Sequence, residues 1–282
     1  MRDTTHSQSV DDALKAYKRF AGEVFTSKLK GSTAKFDHNT FERQIKEIVT
    51  SQGLDRDTPL AQTRLDGCKT FVVATSLRAG RPVLMQTYDN YPSTETFPAF
   101  IWQAARATSA APTLFEPIMI DDVKYGDGGT GSNNPVELAI DEAHDIWPNR
   151  VIGCVVSIGT GLEDAIRLRD KKDAGKDLAR SLLSKTSAKM AFKVDVAEWC
   201  VSLLTSCENV HRRVAGRVGQ LGIDGRYFRF NVPQGMCNIG LDDWERIGDM
   251  IVLAQDYMIR NGEIQTVKER VCRILLDPTL SS

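Results

Sequence analysis

A nearly continuous apolar run, Val151–Ile158 (VIGCVVSI), limits most strongly what this chain can fold into. The run ends at the turn Gly159-Thr160-Gly161, and this pattern is typical of a strand buried on both faces, as in a sheet covered by helices. Helices are predicted before it, because apolar side chains recur every three or four residues in Val10–Phe25 and in Phe41–Val49. The alternation of helix and buried strand places residues 1–161 in the α/β class.

Shorter elements are predicted between these segments. Two runs rich in β-branched and aromatic residues, Thr70–Ser76 and Pro82–Tyr88, flank a glycine-containing turn and predict a pair of strands. Phe100–Ala107 predicts a short helix, and Ile118–Tyr125 predicts further strand with a turn at Asp121-Asp122. These elements continue the α/β pattern.

The rest of the chain is mostly helical in pattern. Its predicted elements are helices over Ala188–Val218, Asp242–Met258 and Ile264–Leu276, and one strand over Tyr227–Val232. We therefore divide the chain into residues 1–165, a partial α/β domain, and residues 166–282, a mainly helical C-terminal region packed on it.

Charge and hydropathy exclude several classes of protein. The 36 Lys and Arg residues balance 37 Asp and Glu residues, so the chain as a whole has no electrostatic footprint for nucleic acid. No apolar run approaches the roughly 18 residues of a membrane-spanning helix. Residues 1–9 are polar and lack the apolar core of a signal peptide. We expect no nucleic-acid partner, no transmembrane segment and a cytoplasmic location.

The cysteines and histidines show no metal-binding pattern. The six cysteines are scattered without a C-x-x-C pair, and the four histidines lie far apart without H-E-x-x-H. We therefore predict no metal site and no cofactor, and we expect the cysteines to pack as reduced core residues.

The sharpest turn in the chain is Gly126-Asp127-Gly128-Gly129. Its glycines let the backbone approach another loop closely and leave the carboxylate of Asp127 projecting from the turn. Such an aspartate could act as a general base, orient another base or bind a metal. It could equally be a turn-forming residue without a chemical role, and the turn alone leaves these alternatives open.

A capped helix is predicted directly after this turn. Asn134 suits the N-cap, Pro135 suits the first helical position, and Glu137 falls at N3 as in a capping box. The helix is predicted to run to about His144.

Four segments around this turn occur in an informative order. They are Trp102–Pro112 (WQAARATSAAP), Tyr125–Pro135 (YGDGGTGSNNP), Glu137–Ala143 (ELAIDEA) and Val156–Gly161 (VSIGTG). With the strands near Phe71 they cover about residues 66–162, and they resemble the patatin-like phospholipase family. The helix Val10–Phe25 resembles the stretch that follows the nucleophile region in fungal members.

This resemblance implies a patatin-like three-layer α/β sheet and hydrolysis of lipid acyl esters by a Ser–Asp dyad. Asp127 matches the dyad aspartate, and Gly128 and Gly129 complete the D-G-G motif. The implied substrate is a lipid or another acyl ester, which is consistent with peripheral membrane contact. Asn133, Asn134 and Pro135 match the helix start behind the motif and are expected to support it. A structural role is also favoured for Arg106 and Ser109 in the matching R-A-T-S stretch.

The chain departs from the family pattern at the nucleophile. No serine lies in G-x-S-x-G, and no glycine-rich G-G-G-x-R-G loop is present. Ser157 in V-V-S-I-G and Ser132 in T-G-S-N-N are the nearest matches, and neither is assigned as a nucleophile. We expect a chain resembling the C-terminal part of the catalytic module, inactive by itself, in which Val151–Ile158 lacks a neighbouring strand and exposes apolar surface.

Two other functions remain open. One is a non-catalytic binding or regulatory module on the same scaffold. The other is nucleotide binding through the glycine-rich turn Ser157–Gly161, which follows a predicted strand but lacks G-x-G-x-x-G and the lysine of a P-loop. The nucleotide-binding hypothesis is the least favoured of the three.

Overall fold

The described residues of this computed structural model form two compact units, Met1–Ser132 and Asn133–Ser282. The described ranges are 9–29, 31–32, 34–62, 67–88, 97–162, 207–236 and 239–276. The predicted domain boundary after residue 165 lies outside these ranges, so that division stays a prediction.

Two amphipathic helices open the first unit, as the sequence predicts. Helix α1 spans Val10–Thr26 and begins at Ser9, whose hydroxyl accepts the Asp12 N–H. Helix α2 spans His38–Ser51 and begins at Asp37, whose carboxylate accepts the N–H groups of the second and third residues after it. The apolar faces of both helices pack in a phenylalanine-rich core. Its buried residues are Phe20, Val24, Phe36, Phe41 and Phe115.

A four-stranded antiparallel sheet forms the rest of this unit. Its strands are β1 (Phe71–Ser76), β2 (Arg81–Gln86), β3 (Ile118–Ile120) and β4 (Val123–Asp127), in the order β2-β1-β4-β3. The predicted strand pair and the predicted turn at Asp121-Asp122 are confirmed, and both turn residues have positive φ. Helix α3 (Ile101–Thr108) follows β2 in the chain. Its Ala104 and Ala107 share a core with Ala74 and Met85 of the sheet.

The second unit combines helices with a parallel pair of strands. After the four-residue helix α4 (Gly129–Ser132) at the end of the first unit, its elements are α5 (Val136–Ile146), β5 (Val155–Ile158), α6 (207–215), β6 (Tyr227–Phe230), α7 (Ile247–Arg260) and α8 (Gly262–Leu276). Strands β5 and β6 pair in parallel from Val155↔Tyr227 to Ile158↔Phe230. The predicted α/β class is confirmed, since helices and sheet occur together in a partial domain.

The prediction for Val151–Ile158 as a strand buried on both faces is wrong. Only Val155–Ile158 is strand, and Val156 and Ile158 are 41% and 78% exposed. Among the described residues β5 has one partner, β6, so its other edge and part of its apolar surface are left uncovered.

Three smaller predictions also need correction. Helix α5 begins one residue later than predicted, because Pro135 is the N-cap rather than the first helical residue, and the helix continues to Ile146. Glu137 pairs with Arg213 instead of closing a capping box. The cysteines do not all pack in the core, since Cys68 and Cys272 are exposed.

Some predictions fall outside the described residues. Most of the predicted helix Ala188–Val218 lies there, and 207–215 is its described helical part. Within the described ranges, no helix is both long enough and apolar enough to cross a membrane.

Candidate active site

Asp127, the last residue of β4, is held through its backbone on both sides. It lies opposite Ala74 of β1 in the antiparallel register. Its N–H donates to the Ala110 carbonyl at 3.2 Å, and its own carbonyl accepts from the Thr75 hydroxyl at 2.9 Å. These contacts fix the point at which the strand turns, and therefore the origin of the Asp127 side chain.

Gly128 brings the turn into direct contact with β1. A Cβ atom at this position would lie 2.3 Å from the Val73 carbonyl oxygen, which no side chain tolerates. The same carbonyl accepts the Thr108 hydroxyl at 2.6 Å. The glycine after Asp127 is therefore required by close approach of two backbone segments.

The Asp127 carboxylate is largely withdrawn from solvent, and its Oδ1 accepts the Gly129 N–H at 2.6 Å. Burial disfavours the charged form and raises the pKa of Asp127 to about 6, although the Gly129 hydrogen bond acts to lower it. A carboxylate with a pKa near neutrality is a better proton acceptor than an exposed one. The geometry is thus suited to general-base chemistry.

The two serines weighed as nucleophiles lie in different surroundings. The Ser132 N–H donates to the Gly128 carbonyl at 2.9 Å, which closes the turn of α4. Ser157 is buried in the second unit. Its Oγ accepts from the Arg229 guanidinium at 2.9 Å, and a hydroxyl that accepts from a cation is not activated for attack. The environment of the Ser157 hydroxyl therefore does not favour a nucleophile.

The residues behind the D-G-G motif make structural contacts. The Asn134 side chain accepts the Val136 N–H at 3.3 Å and donates to the Cys207 carbonyl at 3.1 Å. The neighbouring Asn133 amide contacts the Cys207 sulfur at 3.1 Å. Together these amides tie the start of α5 to the start of α6, with Pro135 as the N-cap of α5.

Arg106 is buried inside the first unit, where it contacts two phenylalanine rings and a backbone carbonyl. Its side chain is only 1% exposed, and its guanidinium lies 5.6 and 5.5 Å from the ring centres of Phe41 and Phe115. It donates to the Glu116 carbonyl and lies 3.8 Å from the Glu42 carboxylate. Burial lowers the pKa of Arg106, and the two glutamates oppose this shift. Ser109, the last residue of the R-A-T-S stretch, is the C-cap of α3.

Sequence reasoning missed Thr75 and Thr108, whose hydroxyls hold Asp127 and Val73. Their hydrogen bonds join residues 52 and 35 positions apart. In the sequence Thr75 looks like an ordinary strand residue and Thr108 like an ordinary helix residue, so no signal in the pattern could have found them.

For metals, the described part of the chain contains no group of three or more His, Cys, Asp or Glu side chains that could hold an ion.

Residues 3–140 match the family model for patatin-like phospholipase. The calcium-independent phospholipase A2-gamma of Mus musculus is 28% identical over 272 residues, covering 90% of this chain and 32% of that protein. The phospholipase A I of Arabidopsis thaliana is 27% identical over 247 residues, covering 74% of this chain and 17% of that protein. A cGAMP-activated phospholipase of Escherichia coli (strain TW11681) is 33% identical over 103 residues, covering 34% of this chain and 29% of that protein. The chain spans about a third or less of these relatives.

Proposed function

Since this chain belongs to the patatin-like phospholipase family, we propose that it carries the aspartate side of a phospholipase A-type Ser–Asp site. The observation that carries this proposal is the Asp127 carboxylate, fixed at the end of β4 and withdrawn from solvent on a D-G-G turn. The relatives in mouse and Arabidopsis are named as phospholipases, which supports a lipid acyl ester as the substrate class.

The proposed chemistry begins with proton transfer to Asp127. A serine hydroxyl at its ordinary pKa is a poor nucleophile, so a nearby base must take its proton as Oγ attacks the ester carbonyl carbon. The tetrahedral oxyanion then collapses, the ester C–O bond breaks, and the leaving alcohol takes the proton from Asp127. Water hydrolyses the acyl-serine in the same two steps, with Asp127 again as the base.

The raised pKa of Asp127, about 6, suits this role. At neutral pH the group is mostly ionised and therefore able to accept a proton. It also holds that proton more tightly than a carboxylate at the ordinary value of 3.8. Both properties favour transfer in the transition state.

The 282-residue chain by itself is expected to be inactive, because none of its serines lies in G-x-S-x-G. The test is incubation of the purified chain with a fluorophosphonate probe and a short-chain nitrophenyl ester. We expect no serine labelling and no turnover above background. Stoichiometric labelling of one serine would disprove this part of the proposal, and the labelled peptide would identify the nucleophile.

The role of Asp127 is tested in a chain extended upstream to contain G-G-G-x-R-G and G-x-S-x-G. There Asp127→Asn should reduce ester hydrolysis by about 10²–10⁴-fold while the protein stays folded, since an amide cannot accept the serine proton. A folded variant with near-wild-type turnover would remove Asp127 from the mechanism.

The absence of a nucleophile motif in these residues favours one alternative, a non-catalytic binding or regulatory module on the same scaffold. If the extended chain labels with the probe, the hydrolase is supported. If translation upstream of Met1 meets only stop codons and no exon with the two motifs, the regulatory module is supported instead.

We also propose a cytoplasmic protein that contacts membranes peripherally, since a phospholipid substrate resides in a bilayer. Fractionation of cells expressing the tagged chain tests this proposal. We expect the chain in the cytosol with a salt-extractable membrane fraction, and secretion of the chain would contradict it.

A further inference from the structure

The second unit contains a cavity of about 550 Å³ at the end of strand β5. The residues that matter for its chemistry are Asn134, Ser157, Gly159, Gly161, Arg212 and Arg229. The lining therefore combines two arginines with the glycine-rich turn that the proposed hydrolase chemistry does not use.

The turn after β5 is shaped to fit the Arg229 guanidinium. A Cβ atom at Gly159 would lie 2.6 Å from a terminal nitrogen of Arg229 and 2.4 Å from Oδ1 of Asn231. The same Asn231 oxygen accepts the Gly161 N–H at 2.7 Å. Glycine at position 159 thus lets the guanidinium lie directly against the backbone of the turn.

Arg229 is a buried cation whose donors are only partly used. Its side chain is 9% exposed, and it donates to Ser157 Oγ at 2.9 Å and to Glu208 Oε1 at 3.5 Å. Its Nε is buried and has no hydrogen-bond acceptor among the residues that the structure describes. Because Nε is shielded from solvent, Arg229 can offer a ligand in the cavity only its terminal nitrogens.

Other features of the lining carry positive charge. Arg212 lies in α6, is exposed, and has no ion-pair partner within the described ranges. With Arg229 it outweighs Glu208, which has the one carboxylate among the described residues of the lining, and this leaves one excess positive charge there. The start of the 11-residue helix α5, at Asn134 and Val136, also lines the cavity, and the N-terminus of a helix favours an anion.

We propose that this cavity binds a phosphate group. Two guanidinium groups and a helix N-terminus offer several N–H donors around one volume, which matches an anion with several oxygens. The excess positive charge among the described lining residues disfavours a metal cation. The inference does not depend on the proposed hydrolase activity, because every residue invoked lies within the second unit.

The test is a titration of the purified chain by ³¹P NMR and calorimetry with two probes, inorganic phosphate and sn-glycero-3-phosphocholine. We expect saturable one-to-one binding of at least one probe. Binding of inorganic phosphate alone supports a free phosphate as the ligand, and tighter binding of the diester supports a phospholipid headgroup. Absence of saturable binding with both probes would overturn the proposal.

Two neighbouring arginines give matched variants. Arg212→Gln should weaken phosphate binding about tenfold or more, because a charge-assisted hydrogen bond is lost. Arg213→Gln removes the same charge one residue away, but Arg213 pairs with Glu137 and does not line the cavity. It should change the affinity less than about twofold. Equal weakening by both variants would indicate general charge attraction and overturn the site.

A third variant tests the buried arginine. Arg229→Gln should abolish saturable binding in a protein whose circular dichroism matches that of the wild type. If this variant does not fold, the Arg212 and Arg213 pair still decides the outcome, because both side chains are exposed. Retained binding in a folded Arg229→Gln protein would contradict the proposal.

Discussion

The Gly129 N–H donates a 2.6 Å hydrogen bond to Oδ1 of Asp127, across the turn that joins β4 to α4. This bond stabilises the ionised carboxylate, yet burial outweighs it and the pKa of Asp127 is raised to about 6. The turn therefore holds a carboxylate that costs free energy to ionise, which is a property expected of a functional site.

Asp127→Asn should stabilise the chain at neutral pH. Because the pKa of Asp127 is higher in the folded chain than in the unfolded chain, its protonated form stabilises the fold. This stabilisation is fully present below pH 3.8 and is lost as the pH rises through about 6. Asparagine stays neutral and its oxygen still accepts the Gly129 N–H. We expect the variant to gain up to about 3 kcal/mol in free energy of unfolding above pH 6, from about two pKa units, and to match the wild type near pH 3.5. Urea denaturation at several pH values measures this difference, and a pH-independent difference would contradict it.

Asp37→Asn should show the opposite pH dependence. Although partial burial acts to raise it, the pKa of Asp37 is lowered by hydrogen bonds from Asn39 and Thr40 at the start of α2. The ionised form therefore stabilises the fold above pH 3.8, and this effect is lost as the pH falls through the lowered pKa. The variant should be less stable than the wild type by about 0.3–1 kcal/mol at pH 7, because asparagine still caps the helix but lacks the negative charge at its N-terminus. The deficit should shrink in acid, and a deficit that grows in acid would refute the prediction.

Gly128→Ala should destabilise the first unit strongly. The new Cβ would lie 2.3 Å from the Val73 carbonyl oxygen, so either β1 or the turn must shift. We expect a loss of about 2 kcal/mol or more in free energy of unfolding. Gly248→Ala in α7 is the control, since nothing lies within 4 Å of its Cβ position. It should be neutral or stabilising by up to about 1 kcal/mol, and a similar loss in both variants would argue against the close contact.

Arg106→Ala should destabilise the first unit by about 3 kcal/mol or more. It removes the cation that lies beside the rings of Phe41 and Phe115 and leaves the Glu116 carbonyl without its donor. Arg43→Ala serves as a control, because the Arg43–Glu47 ion pair of α2 is exposed. That variant should change stability by less than about 1 kcal/mol. Thermal melts of both variants provide the comparison, and equal melting temperatures would show that Arg106 does not stabilise the first unit.

The local elements could largely be predicted from the sequence. Apolar spacing within Val10–Phe25 and Phe41–Val49 anticipates α1 and α2 to within a few residues, because a helix depends on contacts three and four positions apart. The strand pair β1 and β2 follows for the same reason, since its turn is short. The resemblance of the D-G-G segment to the patatin-like family implied Asp127 as the candidate base, and close approach of two backbones requires the glycine at position 128.

Burial and partners were decided by the tertiary structure. Val151–Ile158 has the composition of a buried strand. Whether Ile158 is covered depends on which strand lies beside it, and the sequence of the segment does not specify that neighbour. The raised pKa of Asp127 likewise arises from burial of its carboxylate by what surrounds the turn. A Thr75 hydroxyl 52 positions away fixes the backbone of Asp127 through its carbonyl. In the sequence nothing distinguishes Arg229 from the other residues among the 36 Lys and Arg, and only the fold shows that it is buried beside Ser157. Sequence determined which segments are helix or strand and which residue types are available, because those follow from local contacts. The fold alone decided which of those residues meet and which are withdrawn from water, because these properties come from contacts distant along the chain.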